Sequence, residues 1–128
     1  MTTVAVIDDQ TDAGEILKIV LTRANYAARL FTGGPEFLKS FRKGGFDLIV
    51  LDIALPGMDG CEIFDRIRMT DPDVPVIAFT AYAFPQDREN LLGRGFAAHI
   101  PKPMLDFDEF LNEVSRHIQK PRRRVKAS

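Results

Sequence analysis

The sequence predicts an α/β fold in which five parallel strands alternate with five helices. Short apolar runs are bounded by glycine, proline or polar residues, and an amphipathic segment follows each of them. Apolar runs without alternation are typical of strands that are buried on both faces of a parallel sheet. Because such strands are joined by right-handed crossovers, the helices are expected to cover both faces of the sheet.

The first strand is predicted at residues 3–8. Asp12 and Glu15 have the spacing of a capping box, so they are expected to open the first helix. Its apolar face is predicted to carry Ile16, Leu17, Ile19, Val20 and Leu21.

The second and third strands are predicted at residues 27–32 and 46–51. Between them, Pro35 suits the first turn of a short helix, and Gly44 with Gly45 would end it. The apolar face of this second helix is predicted to carry Phe37, Leu38 and Phe41.

The third helix follows a turn. Pro56 and Gly57 have the positions of the two central residues of a type II turn. Asp59 and Gly60 lead from this turn into a helix whose apolar residues are Ile63, Phe64 and Ile67.

The last two strands are predicted at residues 76–80 and 97–100. Pro85 suits the start of the fourth helix, and Gly93 or Gly95 is expected to end it. The fifth helix is predicted from the spacing of its apolar residues, which are Phe107, Phe110, Leu111, Val114 and Ile118.

Size and composition indicate one compact domain. The chain has 128 residues, of which 45% are hydrophobic and 27% charged, and no apolar stretch approaches the roughly 20 residues that span a bilayer. The single cysteine, Cys61, excludes an intrachain disulfide and a cysteine-based zinc site. The N-terminus does not resemble a signal peptide, so a cytoplasmic location without a membrane span is expected.

Charge is distributed unevenly. Residues 120–128 contain five of the 17 basic residues, and without them 12 basic residues face 18 acidic ones, a net charge of −6. Such a tail could contact nucleic acid, a membrane surface or an acidic partner. A disordered, solubilising terminus is the preferred interpretation, and direct nucleic-acid binding is not expected.

Charged side chains follow three of the predicted strands at the point where each strand ends. Asp8 and Asp9 follow the first strand, Asp52 the third and Lys102 the fifth. Parallel strands bring these ends to one edge of the sheet, where open α/β sheets bind ligands. Neighbouring carboxylates repel one another unless a cation neutralises them, and their hard oxygen atoms suit Mg²⁺. A metal, a carboxylate nucleophile and a lysine together indicate an aspartyl-phosphate site.

These motifs resemble the receiver domain of two-component response regulators. Asp8 and Asp9 resemble its acidic pair, residues 52–60 its phosphoacceptor segment, Thr80 its switch hydroxyl, and Lys102 with Pro103 its lysine and proline. The resemblance extends from residue 2 to about residue 119, so residues 1–119 are assigned to this domain. It implies a flavodoxin-like (CheY-like) sheet with the strand order 2-1-3-4-5.

The resemblance also implies roles for these residues. Asp52 would be the nucleophile that takes a phosphoryl group from a histidine kinase or a histidine phosphotransfer protein. Mg²⁺ (or Mn²⁺) would be bound by Asp9, Asp52 and the backbone carbonyl of Ala54, with Asp8 acting mainly through water. Lys102 would pair with one phosphate oxygen, and Thr80 would hydrogen-bond another once the phosphoryl group is present.

Further roles are implied for four positions around this site. The Lys102–Pro103 bond would be a cis peptide. His99 takes the place of an aromatic switch residue that turns inward as the switch hydroxyl moves, although it could equally be a half-buried spacer. Ala54 and Tyr82 would flank the path of the hydrolytic water, so the bulk of Tyr82 is expected to set most of the phosphoryl lifetime.

The predicted function is therefore a signalling switch that catalyses only its own phosphorylation and dephosphorylation and is not otherwise an enzyme. Phosphorylation of Asp52 would shift a pre-existing equilibrium towards an active surface made by the fourth helix, the fifth strand and the fifth helix. This surface would bind a downstream protein or a second copy of the chain, so a monomer or a phosphorylation-dependent homodimer is expected.

Two alternatives remain open. One is a pseudo-receiver that serves only as an interaction module, although such domains normally lack one of the key residues and none is missing here. The other is a phosphohydrolase of the haloacid-dehalogenase type, which requires Asp-x-Asp on the first strand. Asp8, Asp9 and Gln10 do not have that spacing.

Overall fold

The computed structural model describes residues 2–55, 57–81, 85–104 and 106–118, and within them five strands alternate with five helices. The strands are β1 (Thr3–Ile7), β2 (Ala27–Phe31), β3 (Leu48–Asp52), β4 (Val76–Thr80) and β5 (Ala98–Pro101). The helices are α1 (Thr11–Arg23), α2 (Gly34–Ser40), α3 (Gly60–Thr70), α4 (Pro85–Arg94) and α5 (Phe107–Ile118).

All four strand pairings are parallel, and the sheet order is β2-β1-β3-β4-β5. The predicted fold class and strand order are therefore confirmed. The strand ends agree with the predicted ends to within one or two residues; β3, for example, begins at Leu48 and includes Asp52.

Side chains of the central strands alternate between two cores, one on each face of the sheet. Ala5 and Ile7 of β1 pack with Phe37 of α2 and Ile63 of α3. Val4 and Val6 belong to the opposite core, which contains residues of α1 and α5. Because helices cover both faces, every residue of β3 and β4 is buried.

Helix α1 differs from its prediction in two respects. It begins at Thr11 after Gln10, whose side chain makes no capping hydrogen bond, so the predicted capping box of Asp12 and Glu15 is wrong. Ile16 and Ile19 are 48% and 51% exposed. The buried stripe follows residues 14, 17, 20 and 21, and at about 100° per residue Ile16 lies to the side of this stripe while Ile19 lies almost opposite it.

Helix α2 ends at Ser40, one residue before Phe41, which has an extended backbone at the C-cap position. The prediction that Phe41 belongs to this helix is therefore wrong. Its ring is nevertheless buried, and it stacks on Phe37 with 4.9 Å between the ring centroids. Phe41 therefore belongs to the core although its backbone is not helical.

The segment after β3 holds α3 close to the end of the sheet. The side chain of Asp59 caps α3 by accepting a hydrogen bond from the backbone N–H of Cys61 at 2.8 Å. Gly60 lies against the backbone of Ile53, and a Cβ atom at Gly60 would come within 2.5 Å of the Ile53 Cα. Only glycine permits this approach without movement of the backbone.

Three of the expected glycines have left-handed backbones, and one of them is Gly44, which has φ = +76°. Gly57, the second central residue of the predicted turn, has φ = +81°, and Gly95, which follows the last residue of α4, has φ = +120°. Pro56 and Tyr82 lie outside the described residues, as does the predicted basic tail, 120–128. In the described ranges, no helix has both the length and the apolar character needed to cross a membrane.

Candidate functional site

The carboxylates of Asp8, Asp9 and Asp52 lie together at the carboxyl ends of β1 and β3. One oxygen atom of each lies within 4.8 Å of the others. Asp8 and Asp52 are almost entirely buried, whereas Asp9 is exposed. The predicted cluster therefore has two buried members and one that is accessible from solvent.

Two backbone amides fix the orientation of the buried carboxylates. The N–H of Gln10 donates to Asp8 Oδ1 at 2.9 Å, and the N–H of Ala54 donates to Asp52 Oδ1 at 3.0 Å. Each aspartate thus bonds the backbone two residues further on, as aspartate commonly does at the start of a loop. The second oxygen of each carboxylate, Oδ2, is left for other partners.

Lys102 lies between these two oxygen atoms. Its ammonium nitrogen, Nζ, is 2.9 Å from Asp8 Oδ2 and 3.1 Å from Asp52 Oδ2. The same nitrogen donates to Gln10 Oε1 at 3.3 Å and lies 4.9 Å from the centroid of the Phe79 ring. The ammonium group therefore donates hydrogen bonds to Gln10 and Asp52 and forms an ion pair with Asp8, and a nearby aromatic ring also favours its positive charge.

Burial and charge act against each other on the pKa values of this site. Burial raises the pKa of Asp52, and the neighbouring Asp8 adds to this rise, whereas Lys102 and the Ala54 N–H lower it by less. Burial lowers the pKa of Lys102, but its contacts with Asp8 and Asp52 outweigh burial and raise that pKa overall. One lysine cannot balance three ionised carboxylates, so the site favours a further cation.

The donor set fits a hard divalent cation. Carboxylate oxygens are the preferred protein ligands of such ions, and oxygens on opposite sides of a Mg²⁺ lie about 4 Å apart. The 4.8 Å limit on the oxygen separations of Asp8, Asp9 and Asp52 is close to that span. These residues therefore form a candidate metal site at the end of the sheet.

The other predicted site residues lie around this cluster. Thr80 is the last residue of β4 and is fully buried, and its carbonyl accepts a hydrogen bond from the Lys102 N–H at 2.9 Å. The Lys102–Pro103 peptide bond is cis. Ala54 is exposed beside Asp52.

His99 lies in β5, paired with Ala78 of β4, and is 4% exposed. Its backbone carbonyl accepts a hydrogen bond from Arg88 of α4 at 3.4 Å. His99 is thus buried, and its backbone contacts a side chain of α4.

A cavity of about 420 Å³ opens beside Asp52. Gln10 and Phe79 are among the residues that line it, and both contact Lys102. Neither was identified as a site residue from the sequence. The available signal for Gln10 was its place directly after the acidic pair, at the point where a helix begins. For Phe79, the signal was its place before Thr80 on a buried strand.

The chain belongs to the response regulator receiver domain family, and the model of this family matches residues 4–115. Among curated proteins, it is 30% identical over 115 residues to sporulation initiation phosphotransferase F of Bacillus subtilis, covering 90% of this chain and 92% of that protein. It is 31% identical over 122 residues to the transcriptional regulatory protein PcoR of Escherichia coli, covering 95% of this chain and 54% of that protein.

Solved structures are similar over nearly the whole chain. The non-phosphorylated HemR receiver domain of Leptospira biflexa has a TM-score of 0.87 and 30% identity, covering 98% of this chain and 100% of that one. The response regulator TrrA of Thermotoga maritima, solved in complex with Mg²⁺-BeF, has a TM-score of 0.81 and 32% identity, covering 91% of this chain and 99% of that one.

The chain is therefore a receiver domain of two-component signal transduction. Receiver domains as a class interact with histidine kinases and with downstream effectors. It spans about half the length of PcoR and of the Bacillus subtilis regulator YkoG.

Proposed function

We propose that Asp52 is the phosphoacceptor and that it takes its phosphoryl group from the phosphohistidine of a histidine kinase or of a histidine phosphotransfer protein. The observation that carries this proposal is the arrangement around one carboxylate. Asp52 is buried, its Oδ1 is held by the Ala54 N–H, and its Oδ2 faces Lys102 at 3.1 Å. A nucleophile fixed in this way meets a phosphoryl group in a defined orientation.

The proposal includes Mg²⁺ (or Mn²⁺) bound by Asp8, Asp9, Asp52 and the backbone carbonyl of Ala54. The ion would neutralise charge on the transferred phosphoryl group when it is bound. Support comes from the oxygen-only donor set and from the exposure of Asp9, which gives a cation access to the buried carboxylates.

Lys102 is proposed to stabilise the phosphorylated form. Its ammonium group already contacts Asp52, so a short movement would bring it to an oxygen of the new phosphoryl group. Thr80 is proposed to bond another oxygen of that group. The hydrogen bond from the Lys102 N–H to the Thr80 carbonyl supports this pairing, because it couples the two residues through the backbone.

His99 is proposed to change position together with Thr80 and thereby alter the surface of α4, β5 and α5. Its burial and the contact of its carbonyl with Arg88 of α4 support this role. The altered surface would bind a downstream protein or a second copy of the chain. A cytoplasmic location belongs to the proposal, as do a receiver unit over residues 1–119 and a basic tail over residues 120–128.

Ala54 and Tyr82 are proposed to control how quickly water removes the phosphoryl group. The methyl side chain of Ala54 has no group that could orient a water molecule, so the bulk of Tyr82 is left as the main barrier. A Tyr82→Ala variant is therefore expected to lose its phosphoryl group faster than the wild type. An unchanged rate of dephosphorylation would contradict this assignment.

The proposed function is tested by the intact mass of the protein after incubation with Mg²⁺ and acetyl phosphate. We expect the wild type to gain one phosphoryl group, and we expect no gain for Asp52→Asn or in the presence of a chelator. The asparagine variant keeps the shape of the site and the oxygen that accepts from the Ala54 N–H. Failure of the folded wild type to gain mass would favour the pseudo-receiver interpretation.

A further inference from the structure

The cavity beside Asp52 is larger and more apolar than transfer of a phosphoryl group requires. Its volume of about 420 Å³ falls within the range of pockets that hold whole small organic molecules. Charged groups are present at one part of its lining, where Asp9, Asp52 and Lys102 meet. Most of the remaining lining is apolar, and its larger apolar residues are Ile16, Leu17, Phe79, Pro103 and Met104.

The cavity has a buried floor and an exposed rim, and apolar residues belong to both, since Leu17 and Phe79 are 1% and 3% exposed while the charged Asp9 is exposed. Asp52 is 3% exposed and forms part of the floor, whereas Ile16 is 48% exposed and belongs to the rim. In phosphoryl transfer the attacking and leaving oxygens lie roughly in line on opposite sides of phosphorus. A leaving group therefore points away from Asp52, from the floor towards the rim, where Ile16 provides apolar surface.

We propose that this cavity binds the hydrocarbon chain of small acyl phosphates, so that a donor with a longer chain phosphorylates Asp52 faster than acetyl phosphate does. The inference rests on the proposed role of Asp52 as phosphoacceptor. The two parts of such a molecule match the two parts of the cavity, because the phosphoryl group is anionic and faces Lys102 while the alkyl chain contacts Ile16 and its apolar neighbours.

The reaction balances without any further reactant. A carboxylate oxygen of Asp52 forms a bond to phosphorus, and the bond between phosphorus and the acyl oxygen breaks. The electron pair of that bond leaves with the acyl group as a free carboxylate. No oxidant, reductant or net proton transfer is required.

The experiment compares butyryl phosphate with acetyl phosphate as donors to the full chain in Mg²⁺, with intact mass as the readout. The two leaving carboxylates have nearly equal basicity, so the chemical step differs little between them. Complete burial of one methylene corresponds to about fourfold in binding. Two additional methylenes buried to about half are therefore expected to make the second-order rate constant about fourfold larger for butyryl phosphate.

Helix α1 offers a matched pair of variants. Ile16 and Ile19 are exposed to almost the same extent, 48% and 51%, but only Ile16 is among the described residues that line the cavity. We expect Ile16→Ser to bring the ratio of butyryl to acetyl rate constants close to one. We expect Ile19→Ser to keep the ratio of the wild type, because its side chain lies outside the cavity.

Each outcome has a distinct meaning. Equal rate constants for the two donors with the wild type would overturn the inference while leaving the phosphoacceptor role of Asp52 in place. An equal loss of preference in Ile16→Ser and Ile19→Ser would also overturn it, since a general effect of apolar surface would then explain the preference. Absence of phosphorylation by either donor would overturn the proposed function itself.

Discussion

Replacement of Gly60 by alanine tests whether α3 holds the Asp52 segment in position. The added Cβ would lie 2.5 Å from the Ile53 Cα, 2.9 Å from the Ile53 carbonyl oxygen and 3.0 Å from the Asp52 carbonyl oxygen. All three are backbone atoms, so no side chain can rotate away to relieve the contact. Either the start of α3 or the segment from Asp52 to Ala54 must therefore move.

The size of this movement follows from the closest contact. Ordinary van der Waals contact begins at 3.4 Å, so a contact of 2.5 Å requires a displacement of about 0.9 Å. Forcing additional atoms into a packed site costs about 1–3 kcal/mol of unfolding free energy. A shift of about 1 Å at a reacting group can reduce its rate about 100-fold. We therefore expect Gly60→Ala to lower both stability and the rate of phosphorylation.

The assay combines urea unfolding with the initial rate of phosphorylation by acetyl phosphate. Gly93→Ala is the matched control, because Gly93 lies in α4 and an added Cβ there meets no atom within 4 Å. This control is expected to gain about 0.5–1 kcal/mol, since alanine is the better residue in a helix. Wild-type stability together with a wild-type rate in Gly60→Ala would refute the reasoning.

Three other variants test the site and the core. Lys102→Met removes the ammonium group that faces both buried carboxylates, and we expect the rate of phosphorylation to fall about 100-fold or more, measured by intact mass; a wild-type rate would exclude a role for Lys102. Because burial raises the pKa of Asp52, ionisation of this residue reduces stability as the pH rises through the pKa of the unfolded chain and then that of the folded protein. Asp52→Asn should therefore be more stable than the wild type at pH 7 in chelator, and urea unfolding should show the difference shrinking in acid; a constant difference would contradict the cause. Phe37→Ala removes a fully buried ring and is expected to cost about 3–5 kcal/mol of unfolding free energy, so a loss below about 1 kcal/mol would contradict the packing.

The fold was predictable because the strands are buried on both faces and are therefore almost continuously apolar. The site was predictable for a related reason, since parallel strands bring residues that follow them to one edge of the sheet. The contact between Gln10 and Lys102 was not predictable, because it depends on the conformations of two side chains 92 positions apart in sequence. The half-exposure of Ile16 was missed because apolar spacing does not tell how much of a helix its neighbours cover.

The most direct measurement of the central claim is the position of the phosphoryl group itself. Reduction of an aspartyl phosphate with borohydride converts that aspartate to homoserine, which tandem mass spectrometry can locate in the sequence. After incubation with Mg²⁺ and acetyl phosphate, we predict homoserine at position 52. Homoserine at position 8 or 9, with Asp52 unmodified, would contradict the account.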